Sequence, residues 1–264
     1  MITAGSFVSV PAVWAAWLSR VPILVHQQDA RPGLANKLMA PFARVVTVTF
    51  EESLKEFGKK AVWTGNPARR SLEIKNQKSK IKNQGDLPVV LVVGGGTGAR
   101  AINELARKSL DELTKFCRII HITGKNKNKG ASLNPPAGGG GKGGYISFEF
   151  LNINQMAEAY AAADIVVSRA GMGVLTELSY LGKPAILIPM PDSHQEDNAE
   201  IFKKKNAAIV LNQKELAAGQ FVGEIKKLLE DKSLREKLGE NIGKIIKKGA
   251  GERIGEIIKQ AISA

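Results

Sequence analysis

Leu87–Gly98, LPVVLVVGGGTG, and Asp164–Gly173, DIVVSRAGMG, share one design: an unbroken β-branched run that passes straight into a glycine-rich turn. Short apolar runs of this kind, bounded by turn residues, read as strands buried on both faces of a parallel sheet. Glycines let the backbone approach a ligand closely. The helix that follows offers unpaired N–H groups and a partial positive charge. Glu177 stands one turn into the helix expected after the second stretch. A carboxylate there can accept two hydrogen bonds from a ribose diol. Two such turns on one chain, with an acid behind the second, outline a cradle for a nucleotide diphosphate.

The same alternation extends in both directions. Ile23–His26, Val45–Thr49 and Ala61–Thr64 read as strands, with helices at Pro11–Leu18, Leu34–Phe42 and Glu51–Phe57. Beyond Leu87 the strands are Val89–Val93, Arg118–Thr123, Tyr145–Phe148, Ile165–Val167, Ala185–Ile188 and Ile209–Leu211. Strands alternating with helices make βαβ units and a parallel sheet. Phe221–Ser263 is helical, with an Ile/Leu stripe. Residues 73–86 are polar and lysine-rich without period, a linker, and residues 125–144 are of low complexity.

The expected fold is therefore α/β, with two Rossmann-like lobes of parallel sheet facing a cleft and an incomplete N-terminal lobe. Its divisions are 1–72 for the partial N-terminal lobe, 73–86 for the linker, 87–245 for the nucleotide lobe and 246–264 for a C-terminal helix. The chain opens at MITAGSFVSVP, already inside a strand and its turn, and only about three strands precede the linker. Open sheets average more, so the start reads as truncated.

Composition narrows the partners. Among 264 residues, 38 Lys and Arg stand against 25 Asp and Glu, a net charge of +13 that calls for an acidic partner. The few aromatics do not interleave with the lysines as a nucleic-acid stacking platform would, so nucleic acid is not expected. Cys117 is the single cysteine, which excludes an internal disulfide and suits a reducing cytoplasm. No apolar run reaches the ~18 residues of a spanning helix.

Gly94, Gly96 and Ala99 fit G-x-G-x-x-A, yet the next strand ends Thr123-Gly124-Lys125 without the acid an NAD site needs. There is no P-loop motif, no Asp-x-Asp pair and no His/Cys cluster at ligand spacing, so neither cofactor nor metal is expected. A nucleotide sugar fits better. His194-Gln195-Glu196-Asp197-Asn198 opens the helix after another strand, and the amides of Gln195 and Asn198 suit sugar hydroxyls.

With these residues assembled, the chain resembles the MurG family of bacterial cell-wall glycosyltransferases, of GT-B fold. The resemblance covers nearly the whole chain. It includes GSFVSVP, His26-Gln27-Gln28-Asp29, Pro32–Asn36, Thr64–Arg69, Gly94–Ala99, Met156–Asp164, Ser168–Glu177, Leu181–Pro184 and His194–Ala199. It implies inverting transfer of N-acetylglucosamine from UDP-GlcNAc to undecaprenyl-pyrophosphoryl-MurNAc-pentapeptide (lipid I), giving lipid II for peptidoglycan. It also implies work at the cytoplasmic face of the membrane and, as partners, other cell-wall enzymes.

By the same resemblance Glu177 would hold the ribose, and Phe150 and Leu151 would line the uracil pocket. Arg69 with Gly95, Gly96 and Thr97 would sit near the diphosphate. Arg169, Gly171 and Gly173 would form the second turn. Gln195, with His194 and Asn198, would read the sugar. His26, Asp29 and Asn36 would face the acceptor; the family's own base is the histidine of its opening turn, and without that histidine His26 or Asp29 becomes the candidate base. Three departures stand out. The family's opening glycine-rich turn with its histidine has no counterpart. His-Glu-Gln-Asn is here His-Gln-Gln-Asp, and Gly-Gly-Ser-Gln-Gly-Ala is Gly-Gly-Gly-Thr-Gly-Ala.

Trp14, Trp17 and Leu18 fall on one helical face, with Arg20, Lys37 and Arg44 nearby in sequence. Such a face suits an anionic membrane surface; equally, the tryptophans can be core. Two other functions stay open: a donor-binding subunit of a split glycosyltransferase, inactive alone, and a related glycolipid glycosyltransferase or UDP-GlcNAc epimerase.

Overall fold

The computed structural model describes residues 1–69, 87–94, 99–124 and 144–263. The expected linker 73–86, most of the low-complexity stretch 125–144, and Gly95, Gly96 and Thr97 lie outside them. The chain forms two compact units. One comprises Met1–Ala68 with Lys244–Ala264, and the other Arg69–Gly243.

The first unit is built on a parallel sheet of β1 (Ile2–Thr3), β2 (Leu24–Gln27), β3 (Val45–Val48) and β4 (Ala61–Trp63), paired in chain order. The opening residues thus supply a fourth strand, registered Ile2 to Leu24 and Thr3 to Val25. Helices α1 (Ser9–Leu18) and α2 (Leu34–Met39) bury Val10, Val13, Ala35 and Met39 against Val25, Val46 and Val48. Burying a valine or methionine in this way contributes roughly 1.5–3 kcal/mol.

Two expected α-helices are tighter than their periodicity suggests. Leu34–Phe42 is α-helical only to Met39, and Ala40–Phe42 is a 3₁₀ turn. Pro41 has no N–H to give and crowds the preceding turn, which ends the α-helical ladder. Glu51–Glu56 is wholly 3₁₀, and Gly58, two residues past its end, has φ +57°. So short a segment does not recover the cost of nucleating an α-helix.

The second unit holds β5 (Val89–Val93), β6 (Arg118–Ile122), β7 (Tyr145–Phe148), β8 (Ile165–Ser168), β9 (Ala185–Leu187) and β10 (Ile209–Val210), all parallel. Their spatial order is β10-β9-β8-β5-β6-β7. Counted from β5, this is the 3-2-1-4-5-6 order of a dinucleotide-binding sheet, read from its other edge. Every residue of β5 and β8 is buried, as strands covered on both faces require. Among the described residues, the helices of this unit are α3 (Arg100–Lys108), α4 (Leu110–Leu113), α5 (Ile153–Ala162), α6 (Met172–Leu181), α7 (His194–Lys204), α8 (Ala218–Glu230) and α9 (Lys232–Ile245), whose last two residues fall in the first unit. The Asp164 carboxylate accepts the Val89 N–H at 2.9 Å, tying the start of β5 to the turn before β8.

Phe221–Ser263, expected to be helical with a separate C-terminal helix over 246–264, is three helices. Asp231 breaks the first from the second and caps it, accepting the Leu234 N–H at 2.8 Å. Gly249, at φ +75°, separates α9 from α10 (Ala250–Ser263). That last helix belongs to the first unit. Arg253 donates from Nε and Nη2 to the Thr64 carbonyl at 3.2 and 2.8 Å, and Arg44 Nη1 to the Ala261 carbonyl at 3.0 Å.

A buried polar chain lies under β6. His121 Nε2 meets Asn103 Oδ1 at 3.0 Å, His121 Nδ1 meets the Tyr145 hydroxyl at 3.1 Å, and Asn103 Nδ2 donates to the Thr123 carbonyl at 2.8 Å. Burial, reinforced by the charge of Arg107, depresses the imidazole pKa to about 4. Below the ordinary pKa of 6.5 the unfolded chain therefore takes up a proton that the native chain refuses. Stability should fall as pH drops from about 6.5 to about 4, by up to ~3 kcal/mol from this group. Urea unfolding followed by circular dichroism at pH 7 and pH 4.5 should show this loss. A His121→Gln variant should show a smaller one, and equal losses in both would contradict the assignment.

Candidate functional site

In a parallel sheet all carboxyl ends share one edge, and ligands bind where the strand order reverses. Here the reversal falls between β5 and β8, whose ends carry the two glycine-rich turns. β5 runs out at Gly94, whose N–H reaches the Ile122 carbonyl at 3.4 Å. β8 runs out at Arg169, Ala170 and Gly171, and α6 begins at Met172. No side chain caps α6 and no acid lies in its first turn. Its first N–H groups thus keep their pull on an anion. A Cβ added at Gly171 or Gly173 would meet nothing within 4 Å, so the backbone borders open space.

Glu177, only 7% exposed, sits behind this turn. The Tyr160 hydroxyl donates to its Oε2 at 2.8 Å, and Arg69 Nε lies 3.5 Å from its Oε1. Burial pushes the Glu177 carboxyl above the usual carboxylate range; the Tyr160 hydrogen bond and then the Arg69 charge oppose this. Tyr160 is fully buried on α5, and its phenol is held well above its ordinary pKa, first by burial and then by the Glu177 charge. No sequence spacing pairs Tyr160 with Glu177. They meet because α5 and α6 flank β8.

The neighbouring loops are bound to this turn. Arg169 Nη1 donates to the carbonyls of Ile188 and Pro189 at 2.9 and 3.0 Å, holding the loop after β9. Asn198 Nδ2 donates to the Ala170 carbonyl at 3.2 Å. Asn198 is fully buried, so it braces the turn instead of offering its amide at the surface, as the sequence led one to expect. Gln195 is better placed. Ser193 caps α7 by accepting its N–H at 3.3 Å, and Gln195 Oε1 accepts the Met190 N–H at 3.1 Å. His194 is exposed at the head of α7. Ser193 and Met190 were not singled out from the sequence; the only signal was the loop PMPDS itself. At the end of β7, Phe150 is exposed and Leu151 buried, just before the Asn152–Gln155 capping box that starts α5.

In the first unit, His26, Asp29 and Asn36 lie at and beyond the carboxyl end of β2. His26 is buried, its Nδ1 2.9 Å from the Thr47 hydroxyl and its Nε2 3.0 Å from Asn66 Oδ1. Burial lowers its pKa, against the two hydrogen bonds. A neutral imidazole that donates to Asn66 and accepts from Thr47 has no lone pair left for a substrate proton. The expectation of His26 as a base thus meets a fully engaged ring. Asn36 Nδ2 donates to Gln27 Oε1 at 2.6 Å, and Gln27 Nε2 to the Asp29 carbonyl at 2.7 Å. The glutamine that replaces the family's usual glutamate therefore orders the loop carrying Asp29. Among the described residues no group of three or more His, Cys, Asp or Glu is placed to hold a metal ion.

Two parallel α/β units, one with a dinucleotide-type strand order and its glycine turns at the point of reversal, define a protein of GT-B type. The profile of the glycosyltransferase family 28 C-terminal domain matches residues 89–252, and that of the family 28 N-terminal domain residues 1–48. The chain belongs to glycosyltransferase family 28, in keeping with its resemblance to the MurG family.

A Clostridium botulinum (strain Loch Maree / Type A3) relative, UDP-N-acetylglucosamine--N-acetylmuramyl-(pentapeptide) pyrophosphoryl-undecaprenol N-acetylglucosamine transferase, is 39% identical over 246 residues, 90% of this chain. A Clostridium tetani relative of the same name is 37% identical over 92% of the chain. The chain spans 64% and 67% of the lengths of these two curated relatives. Among solved structures, Acinetobacter baumannii MurG superposes with a TM-score of 0.75 at 24% identity, covering 98% of this chain and 72% of that one. The UDP complex of S. aureus MnaA superposes at 0.74 and 16% identity, covering 99% and 75%. At such identities these likenesses speak to the fold alone.

Proposed function

We propose that this chain is an inverting N-acetylglucosaminyltransferase that takes GlcNAc from UDP-GlcNAc and passes it to lipid I, at the cytoplasmic face of the bacterial membrane. The observation that carries the reading is Glu177, a buried and oriented carboxylate behind the glycine turn at the switch point. The family and the names of its relatives supply the reaction. Glu177 accepts from the ribose hydroxyls, beside Phe150 and Leu151 for the uracil. Arg69 and the unpaired N–H groups at the start of α6 take up charge on the departing diphosphate. Arg169 and Asn198 brace the loops from which Gln195 reads the sugar. An acceptor hydroxyl attacks the anomeric carbon and UDP leaves with the bonding pair. The hydroxyl proton goes to a base. Asp29 suits that role better than His26, whose two nitrogens are engaged.

The direct test incubates the chain with labelled UDP-GlcNAc, UDP-glucose or UDP-galactose, with and without lipid I. Transfer from UDP-GlcNAc that requires lipid I is expected. Turnover of UDP-GlcNAc without lipid I, a preference for another sugar, or donor binding without transfer would overturn the proposal.

Membrane attachment belongs to the same reading. Trp14 and Trp17 are 44% and 51% exposed, edge-on to Phe42, and Phe7, Val8 and Leu18 are exposed too. A surface groove is lined by Trp17 and Phe42 together with Arg20, Arg44 and Lys60. Aromatic rings flanked by cations suit an anionic lipid interface. No helix among the described residues is long and apolar enough to cross a membrane. Sedimentation with phosphatidylglycerol vesicles should fall at least about fivefold in the Trp14→Ala/Trp17→Ala double variant, since each ring contributes interfacial burial. Unchanged sedimentation would remove this face from the account.

A further inference from the structure

Tyr160 is a buried polar group to which the proposed reaction assigns no task. It is 1% exposed, and among the described residues its hydroxyl makes one hydrogen bond, 2.8 Å to Glu177 Oε2. The other carboxylate oxygen, Oε1, lies toward Arg69, whose side chain is largely exposed. One oxygen is thus held from inside the protein and the other is turned toward the surface.

We infer that Tyr160 is a positioning residue for the nucleotide: its hydroxyl holds Glu177 in one orientation and presents Oε1 to the ribose. The inference rests on the reading of Glu177 given above. Three physical points support it. A buried phenol must place its proton somewhere, and among the described residues the acceptor it meets is this carboxylate. A bond from a neutral donor to a carboxylate favours the charged form, which alone accepts from both ribose hydroxyls. Arg69, the other group that favours the charge, is solvent-screened, and in the proposed reaction it turns to the diphosphate. Tyr160 is then the contact that keeps the carboxylate both ionised and aimed.

The test is the pH dependence of UDP affinity, measured by calorimetry on the full chain between pH 5.5 and 8. Each variant is compared with Glu177→Gln, which carries the titration of UDP itself but not that of residue 177. Relative to that reference, the wild type should lose affinity on the acid side as Glu177 takes up a proton. In Tyr160→Phe the midpoint of this limb should move up by about one pH unit. With 3,5-difluorotyrosine at position 160, a stronger donor of nearly the same shape, the midpoint should move down. A purely structural tyrosine would move neither. Coincident midpoints in all three proteins, with Glu177→Gln weakened, would overturn the role of Tyr160 and leave Glu177 in place. Glu177→Gln binding UDP as tightly as wild type at pH 8 would instead remove the ribose site, and the role of Tyr160 with it.

Discussion

A Gly65→Ala variant is expected to destabilise the first unit by roughly 3 kcal/mol or more, one of the two largest single-residue effects in this molecule. Gly65, two residues past the end of β4, adopts φ +82°, a conformation that side chains resist. A Cβ there would stand 2.0 Å from the Lys247 carbonyl oxygen, a backbone atom that cannot swing away. The neighbourhood is already committed. Arg253 is bonded to the adjacent Thr64 carbonyl, and Lys247 Nζ stacks 4.9 Å from the Trp63 ring centroid. Relief would require the segment before α10 to leave β4, and those contacts with it. All three tryptophans, Trp14, Trp17 and Trp63, lie in the first unit, so tryptophan fluorescence during urea unfolding reports on that unit. A loss under ~1 kcal/mol would mean that residues 244–263 do not dock against β4.

The second large effect is on ligand affinity. Glu177→Ala is expected to weaken UDP-GlcNAc binding at least about tenfold, or ~1.5 kcal/mol, measured by calorimetry at neutral pH. In the proposed site the substitution removes a charged acceptor from two ribose hydroxyls, and it also strands the buried Tyr160 hydroxyl. Its effect on stability and its effect on binding can be told apart. Tyr145, Tyr160 and Tyr180 are the chain's only tyrosines and all lie in the second unit. Near-ultraviolet tyrosine signals therefore show whether that unit is intact while affinity is measured.

The strands of the second unit were legible because five successive apolar residues at Val89–Val93, with glycines directly after, have few other ways to fold. Tyr145–Phe148 was equally plain. Gly182 ends α6 at a φ of +63°, the left-handed conformation a helix end favours. Sequence periodicity was less informative where a local breaker competed with it. Pro41 cut α2 short, and Gly58 followed a segment too short to be an α-helix. It could not tell that α10 belongs with the first unit, because that depends on the approach of Gly65 to Lys247 across the chain.

At the candidate site the types of residue were legible and their tasks less so. Gly171, Gly173 and Glu177 fall in one turn and the helix behind it, where local spacing fixes geometry. Asn198 and His26 look from sequence like polar groups offered to a ligand. Both are buried, and their hydrogen bonds go to Ala170 in one case and to Thr47 and Asn66 in the other. Burial is a property of the assembled layers, and a polar residue at a loop carries no mark of it. Tyr160 was missed as a partner of Glu177 for the same reason.

The central claim is that a carboxylate at the switch point grips the ribose of a UDP-sugar. A ligand-side cycle tests it most directly, with UDP and 2′,3′-dideoxy-UDP each titrated into the wild-type chain and into Glu177→Ala. The account predicts that wild type prefers UDP by at least about tenfold and that this preference vanishes in the variant, whose affinity for the dideoxy ligand matches that of wild type. An equal preference for UDP in both proteins would contradict it, because the ribose hydroxyls would then be bound by something other than Glu177.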